Sequence, residues 1–308
     1  MTTLRLALDD YLDLRHSLGF SLRRDAKLLA QFISYLDEQH TDTVTTASAV
    51  AWASLPADAS PGWLGFRMRV VRGFAAYLQT LDPAVEVPPP GLLSGNGRRA
   101  VPYLYSDTDI AALFAEAEQL RTPLRTATMH TVIGLLAVTG MRIGEVIDLD
   151  DTDFDATGGL LVVRHAKFGK SRQIPLHPSA VTALLAYQRL RDQTCPRLVA
   201  SALLVSATGT RLLSYNVGQT FAKLVRRAGL TARSPSCRPR PHDLRHTFAV
   251  RTLLDWYRDD GDIAAQLPLL STYLGHVSPA NTYWYLHAAP ELLAEAAKRL
   301  DATSGVPR

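Results

Sequence analysis

Residues 241–248 read Pro241-His242-Asp243-Leu244-Arg245-His246-Thr247-Phe248, inside a run that reads as helix over roughly 242–257. On a helix His242, Arg245 and His246 fall at i, i+3 and i+4 and share one side, while Leu244, Phe248 and Leu253 can face a core. A lone histidine is usually a satisfied structural residue; two that bracket an arginine make a denser cluster than packing requires. The surroundings are basic: Lys223, Arg226, Arg227, Arg233, Arg238, Arg240, Arg245 and Arg251 are opposed within that span by one acid, Asp243. A local field of that sign favours a polyanion.

Three further clusters lie along the chain. Upstream, Thr126 to Val138 reads as an apolar helix stopped at Thr139-Gly140, and a second helix resumes near Arg142. Gly140 permits a tight turn that can aim Arg142 into a cleft, and Glu145, one helical turn on, can orient the guanidinium. An exposed i,i+3 ion pair would account for the same residues. Between the two clusters, LLVVR (160–164) and RQIPL (172–176) read as a β-hairpin with Lys167, Lys170 and Arg172 at its tip. Such a loop can enter a nucleic-acid groove, or be a solvated charged turn. Downstream, Leu274-Gly275-His276 leads to Tyr283-Trp284-Tyr285, which taken alone reads as a helix with packing aromatics.

The rest of the 308 residues sets the frame. With 47% hydrophobic and 20% charged residues, the composition excludes a disulfide scaffold, a collagen and a disordered chain, and the length suits two domains. Residues 1–87 read as a helical domain, with Leu6, Tyr11, Leu14 and Leu18, then Leu28 to Leu36, then Phe66 to Leu78 at helical spacing. The proline- and glycine-rich stretch after Pro83 reads as a linker, placed at 88–102. The second domain, 103–308, begins with a helix capped by Ser106 and continues with a possible strand at Leu203–Val205 and helices near 179–191, 214–228, 264–274, 279–287 and 290–300. The fold class expected is mainly α with a small antiparallel β-sheet. The net charge of +4 says little as a total, because Asp255, Asp259, Asp260 and Asp262 offset the basic stretch before them. Cys195 and Cys237 lack the paired spacing of a zinc or redox site. No metal and no cofactor are expected. Neither a signal peptide nor a membrane-spanning run is evident, so a cytoplasmic, nucleoid-associated protein is expected.

Arg142, Lys167, His242-x-x-Arg245, Gly275-His276 and a tyrosine nine residues beyond that histidine, in this order, resemble the tyrosine recombinase or phage integrase family. Each motif alone is weak; the ordered set is specific. The resemblance implies a C-shaped DNA clamp made of a SAM-like core-binding domain and a catalytic domain. Two arginines, Arg142 and Arg245, would clamp one DNA phosphate and neutralise its transition-state charge. Tyr285 would be the nucleophile, His242 the general base, Lys167 the acid that protonates the departing 5′-oxygen, and His276 a hydrogen-bond donor to the phosphate. Glu145 and His246 would support them, and Lys170, Arg172, Arg238 and Arg240 would contact DNA. Tyr283 and Tyr285 point about 200° apart on one helix, and the family spacing from His276 selects Tyr285. Lys170 competes with Lys167, which the family's loop favours.

The resemblance further implies double-stranded DNA as partner, a 3′-phosphotyrosyl intermediate, a Holliday junction and a homotetramer on two recombination sites, with accessory proteins or a second recombinase possible. The chain starts almost directly with the core-binding domain, which leaves no room for an arm-binding domain. The stretch Thr282 to Leu293 looks more like recombinases of transposons and integrated elements than the chromosomal resolvases. Competing readings are a catalytically decayed DNA-binding relative, against which the intact residue set argues, a type IB topoisomerase-like or telomere-resolving enzyme, and a helix-rich regulator without catalysis.

Overall fold

The chain divides into two units, Met1–Arg99 and Ala100–Arg308. The computed structural model describes residues 3–20, 22–93, 100–164, 171–195, 198–259, 262–275, 282 and 292–295. In the first unit α1 (Thr3–Ser17), α2 (Arg23–Glu38), α3 (Thr46–Ser54) and α4 (Pro61–Gln79) pack around Leu29, Phe32, Ile33, Leu36, Trp52, Val71 and Phe74. Their starts follow from local chemistry. Thr45 and Ser48 exchange capping hydrogen bonds at α3, and the Ser60 hydroxyl accepts from Trp63 N ahead of Pro61 in the first turn of α4. On α1 the buried row is Leu4, Ala7 and Leu8, whereas Leu6 and Leu14, and Leu18 just beyond the helix, face solvent. The helix carries two apolar rows, and the row at i, i+3 and i+4 meets its neighbours.

The proline-rich segment is less free than its composition suggests. Val85 enters the core of the first unit, Glu86 Oε2 accepts from Thr46 N at 2.8 Å, and Arg72 donates to the carbonyls of Pro88 (2.7 Å) and Pro89 (2.9 Å). Tyr103 and Tyr105 already belong to the core of the second unit.

The second unit contains α5 (Asp107–Glu118), α6 (Pro123–Thr139), α7 (Ile143–Asp148), β1 (Phe154–Asp155), β2 (Leu160–Val163), β3 (Arg172–Pro175), α8 (Pro178–Thr194), α9 (Ser214–Arg227), α10 (Pro241–Arg258) and α11 (Ile263–Leu274). Ser106 caps α5 with a reciprocal bond from Asp109, and Thr122 and Pro123 start α6. The three strands form an antiparallel sheet in the order β1-β2-β3, with Leu161 opposite Ile174 and Val163 opposite Arg172. Leu161, Val163 and Ile174 point into the core, which lies between the sheet and α6, α8, α9 and α10. Residues 203–205 are buried but form no strand: pairing there is limited to bridges between Asp150 and Ala202 and between Val205 and Arg211. A smaller cluster joins α10 and α11 through Ala249, Leu253, Leu267, Leu270 and Leu274 and receives Leu292. Of the helices expected at 279–287 and 290–300, only Thr282 and residues 292–295 fall among the described residues, and these are helical. No described helix is long and apolar enough to cross a membrane.

Candidate active site

Two helix ends organise the site. α6 stops at Gly140 (φ 60°) and α11 at Gly275 (φ 66°), both in the left-handed conformation that glycine adopts without strain. A helix C-terminus presents unsatisfied carbonyls at its negative pole and attracts cations. Arg245, rising from the first turns of α10, answers both ends: Nη1 donates to Gly140 O and Nη2 to Leu274 O, each at 2.7 Å. Its side chain is among the largest fully buried ones, at 1% exposure. Arg142, at the N-cap of α7, donates through Nη2 to the next carbonyl, Gly275 O, at 3.0 Å. The two guanidinium groups thus dock on adjacent carbonyls of the α11 terminus.

Glu145 supplies the counter-charge. Its Oε2 accepts from Arg142 N (2.8 Å) and its Oε1 from Arg142 Nη1 (2.7 Å), while Arg172, the first residue of β3, donates Nη1 to Oε1 (3.1 Å) and Nη2 to Oε2 (2.8 Å). Burial would raise the Glu145 carboxyl, but the hydrogen bonds and charges of Arg172 and Arg142 overcome it and hold the pKa at about 2. A Cβ on Gly275 would stand 3.0 Å from Arg172 Nη1, so the same glycine that ends α11 leaves room for this arginine.

His242 opens from the first turn of α10 toward solvent, with its ring edge to face against the buried His246 at a centroid distance of 4.7 Å. Desolvation in the concave site, then the charges of Arg245, Arg240 and Arg142, push its pKa down to about 4, so at neutral pH the imidazole is uncharged and able to accept a proton. Arg142, Glu145 and His242 line a cleft of about 730 Å³ with Val163, Arg164 and Asp153. Two of the acids on its wall are engaged, Asp153 by Arg164 and Asp150 by Arg211 and Ser201, while Asp148 is exposed at the cleft. Around Glu145 the balance is positive, because one carboxylate faces the two guanidinium groups of Arg142 and Arg172.

The structure brings together Arg142, Glu145, His242, Arg245 and His246. Lys167, Lys170, His276, Tyr283 and Tyr285 lie outside the described residues. Arg238 is exposed ahead of α10. Arg240 grips the buried carboxylate of Asp243 through Nε (3.0 Å) and Nη2 (2.7 Å), closing the N-terminus of α10. Arg172 stands at the site instead of at a hairpin tip, because the ladder with β2 already pairs it with Val163 and its side chain turns inward to Glu145. Nothing in the sequence joins Arg172 to Glu145, or the arginines to the carbonyls of residues 140, 274 and 275; the one local signal is the pair of glycines that end α6 and α11.

A second surface borders α9. Tyr215, exposed, stands with Asn216, Gln219, Lys223, Arg125 and Arg211 around a groove of about 620 Å³. A neighbouring groove carries Arg121, Arg226 and Arg227. The inner face of α9, with Val217, Phe221 and Leu224, is buried, which directs these polar, aromatic and basic groups outward.

Residues 104–291 match the phage integrase family model. The chain is 42% identical over 309 residues to "Putative integrase/recombinase y4rB" of Sinorhizobium fredii, covering 98% of each protein. It is 30% identical over 234 residues to tyrosine recombinase XerD of Rhizobium meliloti, covering 71% of this chain and 66% of that protein. The fold is similar to that of the Tn1549 transposon integrase solved with transposon right end DNA, with a TM-score of 0.66, 17% identity and coverage of 97% of this chain and 99% of that one.

Proposed function

The chain belongs to the phage integrase family and is a tyrosine-type site-specific recombinase; from that premise we propose that it cuts and rejoins double-stranded DNA through a 3′-phosphotyrosyl bond to Tyr285. The observation that carries this reading is the meeting of Arg142 and Arg245 on adjacent carbonyls beside a neutral His242. Two guanidinium forks held in fixed directions suit the non-bridging oxygens of a single phosphate, and they need no reorganisation as charge builds on it.

In the proposed reaction the Tyr285 oxygen attacks phosphorus as the bond to the 5′-oxygen breaks. His242 takes the phenol proton, and Lys167 gives a proton to the departing 5′-oxygen. His276 donates a hydrogen bond to the phosphate, while Glu145 and His246 support the arginine and the base. The products are a 3′-phosphotyrosine and a free 5′-hydroxyl. A 5′-hydroxyl from a second strand then attacks the phosphotyrosine and releases Tyr285, so the number of phosphodiester bonds is conserved and no external energy source enters. Exchange of one strand pair and then the other passes through a Holliday junction, with four protomers on two sites. The outward face of α9 suits the DNA itself: Asn216 and Gln219 can read base edges, and Lys223, Arg226 and Arg227 can meet phosphates.

The test uses a nicked duplex carrying the chain's own site, sought among repeats beside its gene, so that cleavage traps covalent protein. Wild type and Tyr283→Phe form the adduct and Tyr285→Phe forms none. Absence of an adduct with wild type, or an adduct lost in Tyr283→Phe and kept in Tyr285→Phe, overturns the assignment.

A further inference from the structure

We propose that Arg172 is a positioning residue of the active site, dividing the Glu145 carboxylate with Arg142 so that Arg142 keeps donors and charge for the phosphate. The inference rests on the recombinase reading above and concerns how its phosphate clamp is set.

The geometry is specific. Arg172 meets Glu145 as a parallel fork, one nitrogen to each carboxylate oxygen, at 3.1 and 2.8 Å, and its side chain is 13% exposed. Arg142 donates one side-chain bond to the same carboxylate, at 2.7 Å, and its other terminal nitrogen donates to Gly275 O at 3.0 Å. Each Glu145 oxygen therefore serves both arginines. A carboxylate released by Arg172 would be free to take the Arg142 guanidinium in a bidentate pair, the geometry such pairs favour, and to draw its second nitrogen from Gly275 O. That would neutralise the cation meant for DNA. With Arg172 present, two guanidinium charges face one carboxylate and the excess stays positive. The arrangement also joins three elements, since Arg172 begins β3, Glu145 lies in the first turn of α7, and Gly275 ends α11.

Burial of both partners separates this role from a groove contact. A DNA-contacting arginine contributes to affinity and to its salt dependence, whereas one committed to Glu145 affects the chemical step through Arg142. The charged groups facing Glu145 are Arg142 on α7 and Arg172 on β3. The other titratable groups along the cleft are Asp148, Asp150, Asp153, Arg164 and His242.

The experiment compares full-length wild type, Arg172→Lys, Arg172→Gln and Glu145→Gln on the nicked duplex at saturating DNA, with affinity measured across salt concentrations. Both Arg172 variants are expected to lower the rate of adduct formation by about 10-fold or more, Lys failing to rescue because it lacks the fork, with affinity and salt slope unchanged. ¹³C NMR of the Glu145 carboxyl without DNA shows its pKa rising from about 2 as the Arg172 contribution is lost, while the retained Arg142 bonds keep it below the ordinary 4.5. The combined Glu145→Gln, Arg172→Gln chain is no slower than Glu145→Gln alone. A normal adduct rate in folded Arg172→Lys, or weakened affinity with a salt slope reduced by about one, overturns the positioning role while leaving the recombinase reading intact. If wild type forms no adduct, the recombinase reading falls and this role with it. If Arg172→Gln fails to fold, the Lys variant and the carboxyl titration decide.

Discussion

Replacing Gly140 with alanine tests whether the α6 terminus sets the site. Gly140 has φ 60°, and a Cβ built there would stand 2.5 Å from Phe248 Cδ1 and 3.1 Å from Leu274 Cδ2. The left-handed conformation costs a non-glycine residue about 1–2 kcal/mol. Pushing α10 and α11 apart by a methyl adds an overpacking cost of about 1–3 kcal/mol. Against these, alanine stabilises by restricting the unfolded chain by about 0.4–1 kcal/mol, so the net loss is about 1–5 kcal/mol. Gly144, four residues on, is the internal control: it lies inside α7, and nothing stands within 4 Å of its added Cβ. There alanine is expected to be neutral or to stabilise by up to about 1 kcal/mol. Urea unfolding of the full chain reads both changes, and the adduct assay below the Gly140→Ala transition reads whether Arg142 and Arg245 remain aligned. Equal stability of Gly140→Ala and wild type, or equal losses at the two glycines, would refute the reasoning.

Other outcomes follow from the charges. Because the Glu145 carboxyl is lowered to about 2, its contribution is fully present above its ordinary 4.5 and is lost as pH falls through 2; the shift corresponds to about 3 kcal/mol. Glu145→Gln should remove most of that at pH 7 and flatten the acid limb of stability measured by urea unfolding. His242, lowered to about 4, should leave kcat/KM without an acidic limb near 6.5, while bound DNA phosphate favours the imidazolium and moves the limb in kcat upward; a free-enzyme limb near 6.5 counts against this environment. Lys223→Ala on α9 should weaken DNA binding and reduce the salt slope by about one, read by affinity measured across salt concentrations. In the first unit Arg67 lies buried against Trp52, donating to its carbonyl at 2.6 Å. Arg67→Ala opens a cavity and strands that carbonyl, an expected loss of about 2–4 kcal/mol on urea unfolding.

Much of this architecture is readable where chemistry is local. Ser106 and Gly140 mark helix ends through caps that act within four residues, and the β-rich runs at 160–164 and 172–176 do pair in one sheet; the sequence pattern starts α6 only at Thr126, three residues after its actual beginning at Pro123. His242, Arg245 and His246 share α10 because helical spacing alone decides it. The reading fails where distance in sequence separates partners. Glu145 and Arg172 are 27 residues apart, and nothing in either neighbourhood signals the other. On α1 two apolar rows compete, and only the placement of α2 and α4 selects Leu4, Ala7 and Leu8. Residues 203–205 have the composition of a strand but meet single bridging partners. Arg245 reads as a surface ligand on the helix, yet its side chain is buried by elements from both sides of the unit.

The clamp on the helix ends also bears on when the protein becomes dangerous to DNA. Arg245 reaches carbonyls 105 and 29 residues away, and Arg142 reaches one 133 residues away. The Arg245–Gly140 bond needs only the chain up to α10, but the bonds to Leu274 O and Gly275 O cannot form on a chain still leaving the ribosome before residue 275 has emerged and α11 has docked. On a chain that stops short of α11, Arg142 and Arg245 lack the two carbonyls that bring their guanidinium groups side by side. The proposed phosphate clamp is thus assembled only when the C-terminal end of the second unit has folded onto the rest of it.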